Sequence, residues 1–143
     1  MTRRIPLAAL TVLLLVVGPA LAAAPPEGWR YVEAPAYWSA ADKALGGHDG
    51  FAWYRAFVHV PEAWKGRDLA LDLGRIDDCD ETFVNGTKVG ATGSLPPDAR
   101  TAWQVHRGYR VPARAVRFGG WNLVAVRVYD DGGRGGICAG PLG

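Results

Sequence analysis

The stretch Leu69-Ala-Leu-Asp-Leu-Gly-Arg-Ile-Asp-Asp-Cys-Asp-Glu-Thr-Phe-Val-Asn-Gly-Thr-Lys-Val-Gly90 decides the fold. Leu69, Leu71 and Leu73 alternate with Ala70 and Asp72, the period of a half-buried strand. Asn85-Gly86 is a hairpin signal, because a type I′ turn needs positive φ at both central residues. The stretch therefore reads as strand, acidic turn, strand, tight hairpin, strand. The acidic turn holds Asp77, Asp78, Asp80 and Glu81, four carboxylates within five positions and the densest polar feature of the chain.

Working outward, Phe51 to Val60 carries two Phe, Trp53, Tyr54, Val58 and Val60, a strong strand composition. Bulky groups on both its faces predict a central strand covered on both sides, ended by Pro61. Trp64 is expected to plug the bottom of the core. Trp29 to Glu33 reads as a first strand and Ala40 to Ala44 as one helical turn, stopped by Gly46-Gly47. Ala91 to Gly108 reads as an irregular loop, broken by Gly93 and Pro96-Pro97, and Tyr109 to Pro112 as a short strand. From Trp121 to Tyr129 the residues Val124, Val126 and Val128 face one way, and Leu123, Ala125, Arg127 and Tyr129 the other. A glycine-rich loop follows from Asp130 to Gly136. Many short strands with no long helix make an all-β fold, an antiparallel β-sandwich. These residues do not by themselves separate a jelly roll from an immunoglobulin-like order.

Arg3 and Arg4, the apolar run Leu7 to Val17, and Pro19-Ala-Leu-Ala22 form a secretory signal peptide over residues 1–23, with cleavage expected near positions 22–24. Residues 24–143 are expected to form one domain, periplasmic or secreted. The 143-residue chain is formally +2 at pH 7; loss of Arg3 and Arg4 leaves 14 basic and 14 acidic residues. That balance gives no electrostatic footprint for nucleic acid, nor for a membrane once the leader is removed. Export places Cys79 and Cys138 in an oxidising compartment. A disulfide between them would close a loop of about 60 residues, worth roughly 4 kcal/mol; two independent thiols are the alternative.

Catalytic signatures are scarce. The two serines, Ser39 and Ser94, lie outside any nucleophile elbow. His48, His59 and His106 lack ligand spacing. Acidic neighbours raise the pKa of Cys79 rather than activating it. The carboxylates of the acidic turn sit too close in sequence to straddle a sugar ring as a glycosidase pair. Two readings of the turn stay open. Its aspartates accept backbone amides and pair with Arg75, Arg127 or Arg134. Alternatively, Asp77, Asp78 and Asp80 bind a structural Ca²⁺, with Asp130 or Asp131 joining if the loops converge; no other cofactor is expected. Asn85-Gly-Thr87 matches a glycosylation sequon, but the hairpin explains the same residues. Trp103 and Trp38, in loop-like surroundings, are candidates to stack on a sugar ring, with core plugging, the commoner fate of Trp, as the alternative for each. Trp29, Trp53 and Trp121 are assigned to the core.

Several segments together resemble one family: Asp49-Gly-Phe-Ala-Trp-Tyr-Arg55, Val60-Pro-Glu-Ala-Trp-Lys-Gly66, Leu71-Asp-Leu-Gly-Arg-Ile-Asp-Asp78, Asp80-Glu-Thr-Phe-Val-Asn-Gly86, and Val126-Arg-Val-Tyr-Asp130 with the following Gly-Gly-Arg-Gly-Gly-Ile137. They are similar to the β-galactosidase-type jelly-roll domain, the sugar-binding-like domain of glycoside hydrolase family 2. The version inside bacterial sialate O-acetylesterase-type proteins is nearest. The resemblance implies a galactose-binding-like jelly roll that accompanies a glycosidase or esterase domain, with no catalytic residue to carry over. It also implies hydrophobic or aromatic residues where Cys79 and Cys138 stand, two departures that suit a loop-locking disulfide. The expectation is a non-catalytic carbohydrate-binding module with Asp77, Asp78, Arg100, Trp103 and Asp130 at its site. The alternatives are a docking module for a separate catalytic hydrolase, or a shortened remnant of a larger enzyme.

Overall fold

The computed structural model describes residues 27–143 together with the strand Leu10–Leu13. Apart from that strand, the signal peptide expected over residues 1–23 lies outside the described residues. Among the described residues nine strands form two sheets: β1 (Leu10–Leu13), β2 (Trp29–Tyr31), β3 (Gly50–Val60), β4 (Leu69–Asp77), β5 (Cys79–Val84), β6 (Thr87–Thr92), β7 (His106–Val111), β8 (Gly120–Asp130) and β9 (Gly136–Ala139). One sheet runs β2-β1-β3-β8-β5-β6 and the other β7-β4-β9. All pairings are antiparallel except those of β1, which lies parallel to both β2 and β3. The fold is an all-β sandwich. One short helical turn, Trp38–Ala41, and the 3₁₀ turns Lys43–Leu45, Glu62–Trp64 and Ala113–Ala115 complete it.

The core fills the space between the sheets. Tyr54, Val84, Val124, Val126 and Val128 of the larger sheet meet Leu73, Ile76, Val111 and Ile137 of the smaller one. The alternation expected on β8 holds, with Val124, Val126 and Val128 buried and their neighbours only partly so. The hairpin holds too: Asn85 and Gly86 have φ of 48° and 83°. The Asn85 amide donates to the carbonyl of Ala115 and to Asn122 Oδ1, at 2.8 and 2.7 Å, and its Oδ1 accepts from the Leu123 N–H. This side chain therefore staples the hairpin to β8.

Several expectations are corrected. β3 is flanked on both sides within its sheet, but Arg55, Phe57 and His59 on its outer side are exposed. A three-stranded partner sheet covers only one face of the larger one. Trp64 is 47% exposed and plugs nothing, and Trp121, expected in the core, is 51% exposed. Trp38, a candidate to stack on a sugar, instead plugs the core and is fully buried; a side chain at Gly135 would collide with its ring. Trp29 and Trp53 are half-buried, with Arg55 and Arg127 over their respective rings. The chain also adds β9, where only a glycine loop was expected, and starts β7 three residues early, at His106.

Candidate functional site

The chain passes between the sheets three times at the same end of the sandwich, after β4, after β6 and after β8. Asp77 ends β4 opposite Gly136, while Cys79 starts β5 opposite Tyr129, so Asp78 alone is the corner. From β8 the chain leaves at Asp130 and re-enters the smaller sheet at Gly136. These adjoining crossings bring the acidic turn against the glycine loop.

The carboxylates of the turn then separate into different roles. Asp80 and Arg107 are a fully buried ion pair at 3.0 Å. Tyr109 and Thr82 donate their hydroxyls to Asp80 at about 3 Å, so both of its oxygens are satisfied. Arg107 also donates to the carbonyls of Ala102, Val105 and Asp78. It therefore anchors the loop after β6 on the corner. Glu81 points outward to Lys88 and Arg127, at 2.6 and 2.5 Å, and both hold its carboxyl below the usual range. Arg127 thus pairs with Glu81 and not with an aspartate of the turn, and Arg107, the partner of Asp80, was missed. Its parity with Tyr109 and Val111, both turned inward, was the signal.

Asp78 is pinned through its side chain. Oδ1 accepts from the Thr101 hydroxyl, and Oδ2 accepts from the Asp131 N–H at 3.0 Å. Its carbonyl accepts from the Ala102 N–H at 2.9 Å. Around it opens a cleft of about 300 Å³, lined among others by Asp78, Arg100, Thr101, Tyr129, Asp131 and Gly132. The structure thus brings together Asp78 and Arg100 of the expected site and adds Thr101, Tyr129 and Asp131. Trp103 stands on the same loop, 46% exposed, but does not line the cleft. Neither does Asp77. Asp130 has no exposed surface, so it cannot touch a sugar as expected. It lies behind the cleft wall, where burial and then the charges of Asp78, Asp77 and Asp49 push its carboxyl up to about 6.

A larger hollow of about 550 Å³ opens between the sheets, walled mainly by aliphatic side chains such as Val58, Val60, Leu69, Leu71 and Leu142. Its lining is mostly apolar, with Arg55, His59 and Asp72 its ionisable members, and the smaller, more polar cleft is the better candidate for a polar ligand.

The expected Cys79–Cys138 disulfide is corrected: both thiols are free. The residues lie in opposite sheets and their thiols engage different carbonyls, Ser94 at 3.1 Å and Arg75 at 3.4 Å. Burial, followed by the charges of Asp78 and Asp80, pushes Cys79 up to about 11, so it is no nucleophile at neutral pH. Of the expected cation set of Asp77, Asp78 and Asp80, with Asp130 or Asp131 joining, the structure brings a part together. Asp80 belongs to Arg107, and the carboxylate that joins Asp77 and Asp78 is Asp130, with ligand oxygens all within 4.8 Å of one another.

No family model and no curated protein sequence matches the chain. Solved structures do. A glycosyl hydrolase family 2 member from Bacteroides cellulosilyticus shares 26% identity at a TM-score of 0.52, over 63% of this chain and 12% of that one. The β-D-glucuronidase of Dictyoglomus thermophilum shares the fold at 21% identity and a TM-score of 0.55, over 68% and 16%. A protein assigned as a β-galactosidase from Bacteroides fragilis shares it at 22% and 0.61, over 76% and 17%. The chain is a β-sandwich module like those built into glycoside hydrolase family 2 enzymes. It matches only 12–17% of the length of these proteins. Among the described residues no helix is long and apolar enough to cross a membrane.

Proposed function

We propose that the chain is an exported, non-catalytic module that binds carbohydrate in the cleft beside Asp78. The observation that carries this reading is the convergence of Asp78, Arg100, Thr101, Tyr129 and Asp131 in one concave site. A carboxylate oxygen already holding one hydrogen bond can accept another, so Asp78 remains able to take a sugar hydroxyl. Arg100 supplies fixed donors for ring or hydroxyl oxygens, and Tyr129 supplies an aromatic wall. The sandwich architecture shared with family 2 enzymes supports a setting in glycan breakdown. The sequence motifs extend that setting to sialate O-acetylesterase-type companions. Screening the purified protein on a glycan array tests the reading. Arg100→Ala and Tyr129→Ala are expected to weaken binding at least tenfold, and Trp64→Ala, on a turn outside the cleft, to leave it unchanged. Retention on no glycan sinks the proposal.

One feature favours a second reading, a docking module for a separate catalytic hydrolase. Phe57, Trp64 and Trp121 are 42–51% exposed, and Phe57 and Trp121 lie on the uncovered side of the larger sheet. An exposed aromatic patch of this kind marks a protein contact. Loss of hydrolase association in Trp121→Lys, with glycan binding intact, would assign the two surfaces separate roles.

A further inference from the structure

We propose that the acidic corner of the sandwich binds a hard divalent cation, calcium in the first instance, through Asp77, Asp78 and Asp130. Three carboxylates supply oxygens within 4.8 Å of one another. That spread fits the coordination sphere of one ion, and an all-oxygen donor set selects Ca²⁺ or Mg²⁺ over softer metals.

The decisive residue is Asp130. It is fully buried, and among the described residues neither of its oxygens has a hydrogen-bond partner. The Gly135 amide pulls weakly on it without closing a hydrogen bond to either oxygen. An unmet buried carboxylate costs several kcal/mol unless something pairs with it. The nearby guanidinium groups are directed elsewhere. Arg107 is spent on Asp80 and on three carbonyls. Arg134 lies over the Tyr37 ring, 4.2 Å from its centroid.

The remaining contacts prepare Asp78 as a ligand instead of consuming it. Thr101 and the Asp131 amide each take one lone pair on its oxygens, leaving another free. Hydrogen bonds of this kind fix the orientation of a metal-binding carboxylate. A cation here would join two of the points where the chain crosses between sheets, Asp77-Asp78 after β4 and Asp130 at the end of β8. It would also set the back wall of the cleft, yet its binding does not depend on any sugar.

The test uses the purified protein stripped with chelator. Calcium and magnesium chloride are titrated separately by calorimetry and thermal unfolding, at matched ionic strength. Saturable one-to-one binding is expected, with a melting midpoint several degrees higher at saturation. Asp130→Asn, with a folded near-UV spectrum, should weaken binding at least tenfold. Asp77→Asn, at a half-buried position, should do the same. Glu62→Gln, an acid removed from the 3₁₀ turn before β4, should change nothing. Absence of heat and of a midpoint shift with both cations overturns the proposal, as does binding that survives undiminished in Asp130→Asn and Asp77→Asn.

Discussion

Asp80 and Asp130 are two aspartates with the same burial and opposite surroundings. Both point into the sandwich, and Asp80 sits opposite Val128, two residues before Asp130 on β8. Asp80 receives a guanidinium and two hydroxyls, whereas among the described residues Asp130 finds no hydrogen-bond partner. The difference lies in where the partners come from. β7 runs beside β4 and delivers Arg107 and Tyr109 to Asp80 from the facing sheet. Beside Asp130 the chain supplies glycines and two further carboxylates. A charge that the fold itself satisfies is architecture. One that the fold leaves open points to a ligand from outside.

The sharpest way to break this contrast is to remove one half of the satisfied pair. Arg107→Ala or Asp80→Ala should cost about 3–5 kcal/mol of stability, because each leaves a buried charge alone. Urea unfolding measures it. Loss of Arg107 also frees the carbonyls of Ala102, Val105 and Asp78, so the loop bearing Arg100 and Trp103 should become susceptible to protease. The double change Asp80→Leu with Arg107→Met should cost less than either single change. If each single variant loses under 1 kcal/mol, the pair is not what separates Asp80 from Asp130.

The second prediction reverses the sign. In chelator, Asp130→Asn should raise stability, on the order of 1 kcal/mol, because it removes an unpaired buried charge among like charges. Asp80→Asn should lower it. Equal destabilisation by both in parallel urea titrations would mean that Asp130 has a partner within the fold, and the contrast would collapse.

The sequence made the local half of this picture readable. The alternation of Leu69, Leu71 and Leu73, the turn at Asn85-Gly86 and the parity of β8 are all local patterns, and all of them hold. The cleft was half legible: Asp78 and Arg100 meet there, and Asp130 does not join them. What failed depends on the second layer. Trp38 and Trp121 exchanged places because covering is decided by which sheet lies opposite, and a three-stranded sheet leaves the outer side of β3 and β8 bare. Arg107 was read as loop because its partner Asp80 lies 27 residues away, beyond any local pattern. The fate of Cys79 and Cys138 was equally non-local, set by their placement in different sheets.

The smallest expected effect concerns Glu81, the immediate neighbour of Asp80, turned to the opposite side of the same strand. It pairs with Lys88 and Arg127 at the partly wet surface, and these partners lower its carboxyl pKa below the usual 4.5. A group whose folded pKa is lowered contributes stability above its unfolded pKa and loses it as pH falls through the folded value. The contribution should therefore be complete near neutrality and fade below about pH 4.5. Its size should stay under about 1 kcal/mol, because solvent screens such pairs. Glu81→Gln should lower the urea midpoint slightly at pH 7, and the difference from the unmodified protein should shrink as the pH falls below about 4.5. A loss as large as that of Arg107→Ala would show that exposure does not separate these two neighbouring carboxylates, and that Glu81 belongs to the same buried network as Asp80.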